Sequence, residues 1–218
     1  MSFNDSIIDG ELGENLYIDY LKDNEINYID VRKDVLCQWL DIDFIIPKGD
    51  HSKQDVLQNI RNGNPAQRNK RQKEIGYAVE VKLDKVTHNR FQKKNGEISE
   101  GTGNLVYEII SHNMPGCLAR CYADFILYVC IDTFDKYAQL KKAYMINLYK
   151  WREAMINDNI NKIQLKPLKY VYEKGVKTEE NILNILCPVS ELLKTDGIIK
   201  DFTEKMITFF PKNLILSK

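Results

Sequence analysis

Asp43, Glu80 and Lys82 are the residues of this sequence whose types and spacing could do chemistry. Two carboxylates select a hard cation such as Mg²⁺. Such a cation lowers the pKa of a bound water and offsets phosphoryl charge, and an ammonium beside the attacking oxygen completes what phosphodiester hydrolysis demands. In YAVEVKLD (77 to 84) Glu80 and Lys82 stand two apart, hence on one side of a strand, while Tyr77, Val79, Val81 and Leu83 line the other. Val81 is expected to face the core. Asp43 lies in LDIDFIIP with Asp41 two positions earlier, so both acids share a face and either could be the partner carboxylate. Taken alone, the same pattern describes any half-exposed strand, and a Glu/Lys pair on it can be a surface ion pair worth under about 1 kcal/mol.

These residues need a sheet to bring them together. Leu12, Leu16, Tyr17, Tyr20 and Leu21 recur at helical spacing between Gly10 and Asn24, with Asp9 as the expected cap. Strands are expected at 26 to 31 (INYIDV) and 39 to 47 (WLDIDFIIP), then at 77 to 84, 104 to 111, 123 to 132 and 143 to 147, followed by a helix over LYKWREAMI. Residues 48 to 76 are polar and broken by Gly49, Gly63, Pro65 and Gly76, with room for a short helix from Val56 to Ile60; a loop is the main expectation there. A further polar stretch runs to Gly103. In the last 50 residues LKYVYE reads as a strand, and 178 to 194 and 197 to 209 as helical patterns. Tyr17, Tyr20, Tyr28 and Trp39 form an aromatic stripe assigned to the core.

The chain of 218 residues suits one domain. Lys plus Arg and Asp plus Glu both number 31, so no whole-molecule field favours polyanions and any nucleic-acid contact must be local. The first residues lack the basic start and apolar run of a signal peptide, and no stretch approaches a membrane span, so the expected location is a cytoplasm without membrane association. The five cysteines have neither CxxC nor zinc spacing and read as reduced thiols; Cys117 and Cys121 could share a helix face but lack a second ligand pair. His51, His88 and His112 read as solvated.

A helix beginning GELGENLYIDYL, a strand with an acid before apolar positions (LDIDFIIP) and a strand reading VEVK together resemble the core of the PD-(D/E)xK nuclease superfamily. The likeness to its Holliday-junction-resolvase-like and phage-type members extends through VKLD, TGNLVYEIIS and YADFILYV, over about residues 10 to 155. The resemblance implies a restriction-endonuclease-like α+β fold: a mixed central sheet flanked by helices, one domain, with helical additions in a C-terminal extension over about 156 to 218. It implies Mg²⁺ or Mn²⁺ held by Asp43 and Glu80, and Lys82 generating or stabilising the hydroxide nucleophile. The helix carboxylate that often completes such sites best matches Glu14, with Glu11 as its rival, and Asp43 is preferred to Asp41 because FIIP follows it directly. Glu108, after TGN, is a further candidate, with an ordinary strand position as the alternative. Asp124 is expected to cap or orient a strand, and Asp84 and Asn104 to be structural. The chain departs from the name-giving motif in having Ile42, not Pro, before Asp43.

The implied activity is metal-dependent hydrolysis of DNA. The alternative is a nuclease scaffold that binds DNA or a protein without catalysis, and nothing in the chain separates DNA from RNA as substrate. Between Arg68 and Lys94 nine Lys or Arg face three acids, bracketing the proposed site. Arg68, Lys70, Arg71, Lys85 and Arg90 are therefore expected to track a phosphate backbone. Many members of the superfamily act as homodimers, but no heptad or apolar seam here marks one.

Overall fold

A computed structural model describes residues 3–62, 65–111, 114–116, 120–157, 163–164, 168–173, 176–212 and 214, without the side chains of 3–10, 61, 62, 65, 66, 111 and 163–184. Its centre is a six-stranded mixed sheet in the order β1 (Ile29–Asp30), β2 (Phe44–Pro47), β3 (Gly76–Asp84), β8 (Phe125–Asp132), β9 (Gln139–Asn147) and β13 (Ile199–Asp201). Neighbours run antiparallel except β3 and β8, whose parallel register sets Glu80 beside Ile126 and Lys82 beside Tyr128. Strands at the middle of a sheet are buried on both faces, which suits β8, FILYVCID, apolar up to its last residue, Asp132.

Helix α1 (Phe3–Asp23) lays Leu16, Tyr17, Tyr20 and Leu21 on one face of the sheet against Phe44, Val79, Val81 and Leu127. Short helix α7 (Thr203–Met206) adds Met206 to the same layer. The opposite face is covered by α3 (Lys53–Asn62), through Val56, Leu57 and Ile60, and by α5 (Leu148–Ile156), through Trp151. There it also meets a second sheet in the order β10 (Ile163–Gln164), β12 (Val176–Pro188), β6 (Asn104–Ser111) and β7 (Met114–Pro115), with β11 (Leu168–Glu173) paired to β12. Leu105, Ile185 and Cys187 carry that sheet into the core. The remaining elements are α2 (Val35–Trp39), α4 (Pro65–Glu74), α6 (Val189–Lys194) and a separate hairpin, β4 (Phe91–Gln92) with β5 (Ile98–Ser99). The architecture is α+β around a mixed sheet, with seven α-helices among the described residues.

Several expected elements differ. The first helix starts earlier, so Asp9 lies inside it. The strand expected from 39 to 47 is only Phe44–Pro47: Asp34 caps α2 by accepting from the Cys37 amide at 3.0 Å, and Asp41 turns the chain at a φ of +49°. Trp39 consequently leaves the core stripe and is 80% exposed, whereas Tyr17 and Tyr20 are buried. The expected loop before β3 holds α4, with Pro65 at its first position, where a missing amide costs nothing. In the C-terminal extension the expected helical additions give way mainly to strands. Residues 178 to 188 belong to β12, and 199 to 201 form β13 before the short α7 and a 3₁₀ turn, Ile207–Phe209. Among the described residues no helix is long and apolar enough to cross a membrane. Cys37, Cys121, Cys130 and Cys187 are buried free thiols; Cys117 and His112 lie outside the described residues.

Candidate active site

Strand β3 alternates about its own axis, so Val79 and Val81 enter the α1 layer while Ala78, Glu80 and Lys82 take the other face. Glu80 is 5% exposed and ion-paired with Lys82, whose ammonium end reaches towards the surface. Asp43 stands just before β2. Its amide donates to the Val79 carbonyl at 3.0 Å and its Oδ2 accepts from the Val81 amide at 2.8 Å. The carboxylate thus takes up the backbone donor that a continuing strand would have bonded, and Asp43 spans the stretch of β3 centred on Glu80.

Burial is the largest cause that lifts the Asp43 carboxyl, and the charge of Glu80 is the second; together they push it up to about 8 against the hydrogen bond from Val81. A hydrogen bond with Glu80 raises it further. With the charge of Glu80 this close, Asp43 keeps its proton where an isolated exposed carboxyl would lose it. Glu14 contributes its charge to the same shift, more weakly. Gly13 lets α1 approach β3 closely, since a Cβ there would sit 3.3 Å from Val81 Cγ1. The Glu14 carboxylate, however, is bonded to Arg32 at 2.7 Å, and that guanidinium also holds Asp30. Arg32 carries no local sign of this role: a basic residue two positions past a two-residue strand gives no hint that it will meet an acid 18 positions back.

Asp41 has different partners from Asp43. Asp41 is bonded to Arg120 at 3.0 Å and its carbonyl accepts from the Cys121 thiol, so it serves the turn that delivers Asp43. Glu11 is exposed on α1. In β6, Tyr107 and Ile109 pack on the core, which by strand alternation turns Glu108 to the other side, where it lies against Gly116. Asp84 accepts from the Val86 and Thr87 amides and fixes the turn after β3, and Asn104 supplies the carbonyl that receives the Thr87 hydroxyl.

The expected DNA contacts divide into three situations. Arg71 is a correction: at 3% exposed it is clamped to Asp124, itself 2% exposed, and presents nothing to a phosphate. Asp124 also accepts from the Ala78 amide at 2.9 Å and from Gln72, so the pair welds α4, β3 and the start of β8 together. Arg90 is an anchor, bonded to Asp132 and Asp135 at 2.5 Å each. Lys70 is exposed beside Glu74, Lys85 is half-buried, and Arg68 is half-buried with its guanidinium 4.8 Å from the centre of the Tyr149 ring. Because β3 intervenes, the two basic stretches sit at opposite ends of a strand about 26 Å long.

The acidic pair suits a divalent cation, since burying two carboxylates side by side leaves a charge that they otherwise relieve by holding a proton. Mg²⁺ is commonly held by one or two carboxylates, with water and substrate oxygens supplying the rest. Among the described residues no group of three or more His, Cys, Asp or Glu side chains is arranged to hold an ion. The match is to two protein ligands, Asp43 and Glu80. No known protein family, curated protein or solved structure matches this chain.

Proposed function

We propose that this protein is a metal-dependent nuclease that hydrolyses DNA phosphodiester bonds on a restriction-endonuclease-like α+β core. One observation carries the reading: Asp43, Glu80 and Lys82, which the sequence separates, gather at one place on the central sheet, with the two acids electrostatically coupled and the lysine bonded to one of them. Asp43 and Glu80 are the residues that would hold Mg²⁺ or Mn²⁺, which supplies Lewis-acid stabilisation of phosphoryl charge and a water of lowered pKa. Asp43 must give up its proton for the pair to do so. Lys82, ion-paired with Glu80, stands where its ammonium could turn to the attacking or the phosphoryl oxygen. Glu14, fixed by Arg32, adds negative potential from the α1 side.

Cleavage of DNA in Mg²⁺, its loss in chelator, and its loss in Lys82→Ala with the fold retained by circular dichroism are the expected results. Undiminished cutting by Lys82→Ala would falsify the assignment. A second reading, a scaffold that binds without catalysis, is favoured by the absence of a three-ligand group among the described residues. Calorimetric titration with Mn²⁺ divides the two: the enzyme takes up the ion and Asp43→Asn does not, whereas the scaffold takes up none.

A further inference from the structure

We infer that the hairpin β4–β5 is a preformed arm that lies in the major groove of duplex DNA. The inference rests on the nucleic-acid reading of the site and names its substrate as double-stranded. Residues 91 to 98 are all exposed, and among the described residues the hairpin pairs with no other strand. Its register, Phe91 opposite Ser99 and Gln92 opposite Ile98, puts Phe91 and Ile98 on opposite faces, and both remain uncovered at 47% and 53% exposure. Among the described residues no strand or helix buries either face of the ribbon. A two-stranded hairpin with nothing to pack on is marginal at best in water, so something must hold this one.

Its base does so. Thr87, fully buried, receives the Gly103 amide on its carbonyl at 2.8 Å and donates its hydroxyl to Asp84 and to the Asn104 carbonyl. Asn89 and Thr133 exchange two hydrogen bonds, and Arg90 grips Asp132, which is 1% exposed. Gly101, at a φ of +95°, lies so close to the Thr87 carbonyl that a Cβ would stand 2.6 Å from it. The two legs are thus locked to each other and to the end of β8, and the arm between them is set in position before any partner arrives, which lowers the ordering cost of binding.

Charge and position choose the occupant. Between residues 85 and 99 four Lys or Arg stand against one Glu in a chain of zero net charge, and Lys93, 3.4 Å from Glu97, and Lys94 lie at the tip with Asn95 and Gly96. The legs spring from Asp84, two residues beyond Lys82 on the same face of β3, so a duplex meeting the arm passes the end of the strand that carries Glu80 and Lys82. A two-stranded ribbon fits the major groove, and lysines at its tip reach the flanking phosphates.

The test is binding in chelator, read by fluorescence anisotropy of a labelled duplex and of its separated single strand across a salt series. Lys93→Ala/Lys94→Ala is expected to melt as the wild type, because both positions are exposed, and to bind the duplex more weakly with a salt slope shallower by about 2. Unchanged duplex binding would overturn the arm, as would an equal loss on duplex and single strand, or a changed oligomeric state by light scattering with DNA binding intact. Cleavage is scored apart: a double variant that binds as before while wild type cuts sinks the arm alone, and binding through the arm without cutting in Mg²⁺ sinks the nuclease alone.

Discussion

At Asp43 a carboxyl is held by burial and by Glu80 far above the usual range, although the Val81 amide pulls it down. Its folded pKa of about 8 exceeds the unfolded value near 3.9, so between about pH 4 and about 8 the unfolded chain sheds a proton that the folded chain keeps. Stability contributed by this group is complete below that window and is lost as pH rises through it. In chelator, Asp43→Asn is expected to remove the decline: the variant melts higher than wild type at pH 8, and the two converge near pH 4. Thermal melts by circular dichroism at several pH values read this, and parallel profiles for the two proteins would mean that Asp43 is not the titrating group. Among the site residues, Glu80 and Lys82 were legible as a pair because strand periodicity places alternate residues on one face. The pairing of Asp41 with Arg120, 79 residues away, could not be read locally, nor could that of Glu14 with Arg32.

At the scale of elements, the position of β3 depends on a clamp that the sequence disguises as part of a basic surface. Arg71 binds Asp124 and the Gly76 carbonyl, and Asp124 in turn holds the Ala78 amide, two residues before Glu80. Removing one partner of a buried ion pair leaves an uncompensated charge and costs about 3–5 kcal/mol. Arg71→Ala is therefore expected to lower the unfolding free energy by about that amount in urea titration, far beyond the effect of Lys70→Ala, which alters an exposed contact of 3.9 Å. Equal, small effects at both positions would place Arg71 at the surface. The same region contrasts elements that announce themselves locally with one that does not. Apolar alternation exposed β3 and β8, but α4 is polar at nearly every position, and only Pro65 marks its start. Residues 178 to 188 read as part of a helical pattern, and pairing of β12 with β6 decided otherwise.

For the whole molecule, the C-terminal segment is part of the architecture and not an appendage to a complete nuclease core. Strand β12 pairs with β6, β13 pairs with β9, and Ile185, Cys187 and Leu192 lie in the same cluster as Trp151 and Ile126. A chain ending at Asn157 would expose both edges together with the apolar surface that these residues cover. Such a truncation is expected to aggregate or to lose cooperative unfolding, as followed by light scattering and urea denaturation. A soluble, cooperatively folding fragment would show that residues 10 to 155 suffice.

What the amino-acid order determined unaided is local: strand faces, the Glu80/Lys82 spacing, the buried strand β8 and the helix over LYKWREAMI, each set by periodicities of two or 3.6 residues. Which carboxylate meets Glu80, which arginine is buried and which reaches solvent, and that a polar stretch becomes an arm were decided by tertiary structure. Those outcomes turn on contacts between residues 18 to 79 positions apart and on the burial they create, and neither is a property of any short stretch of chain.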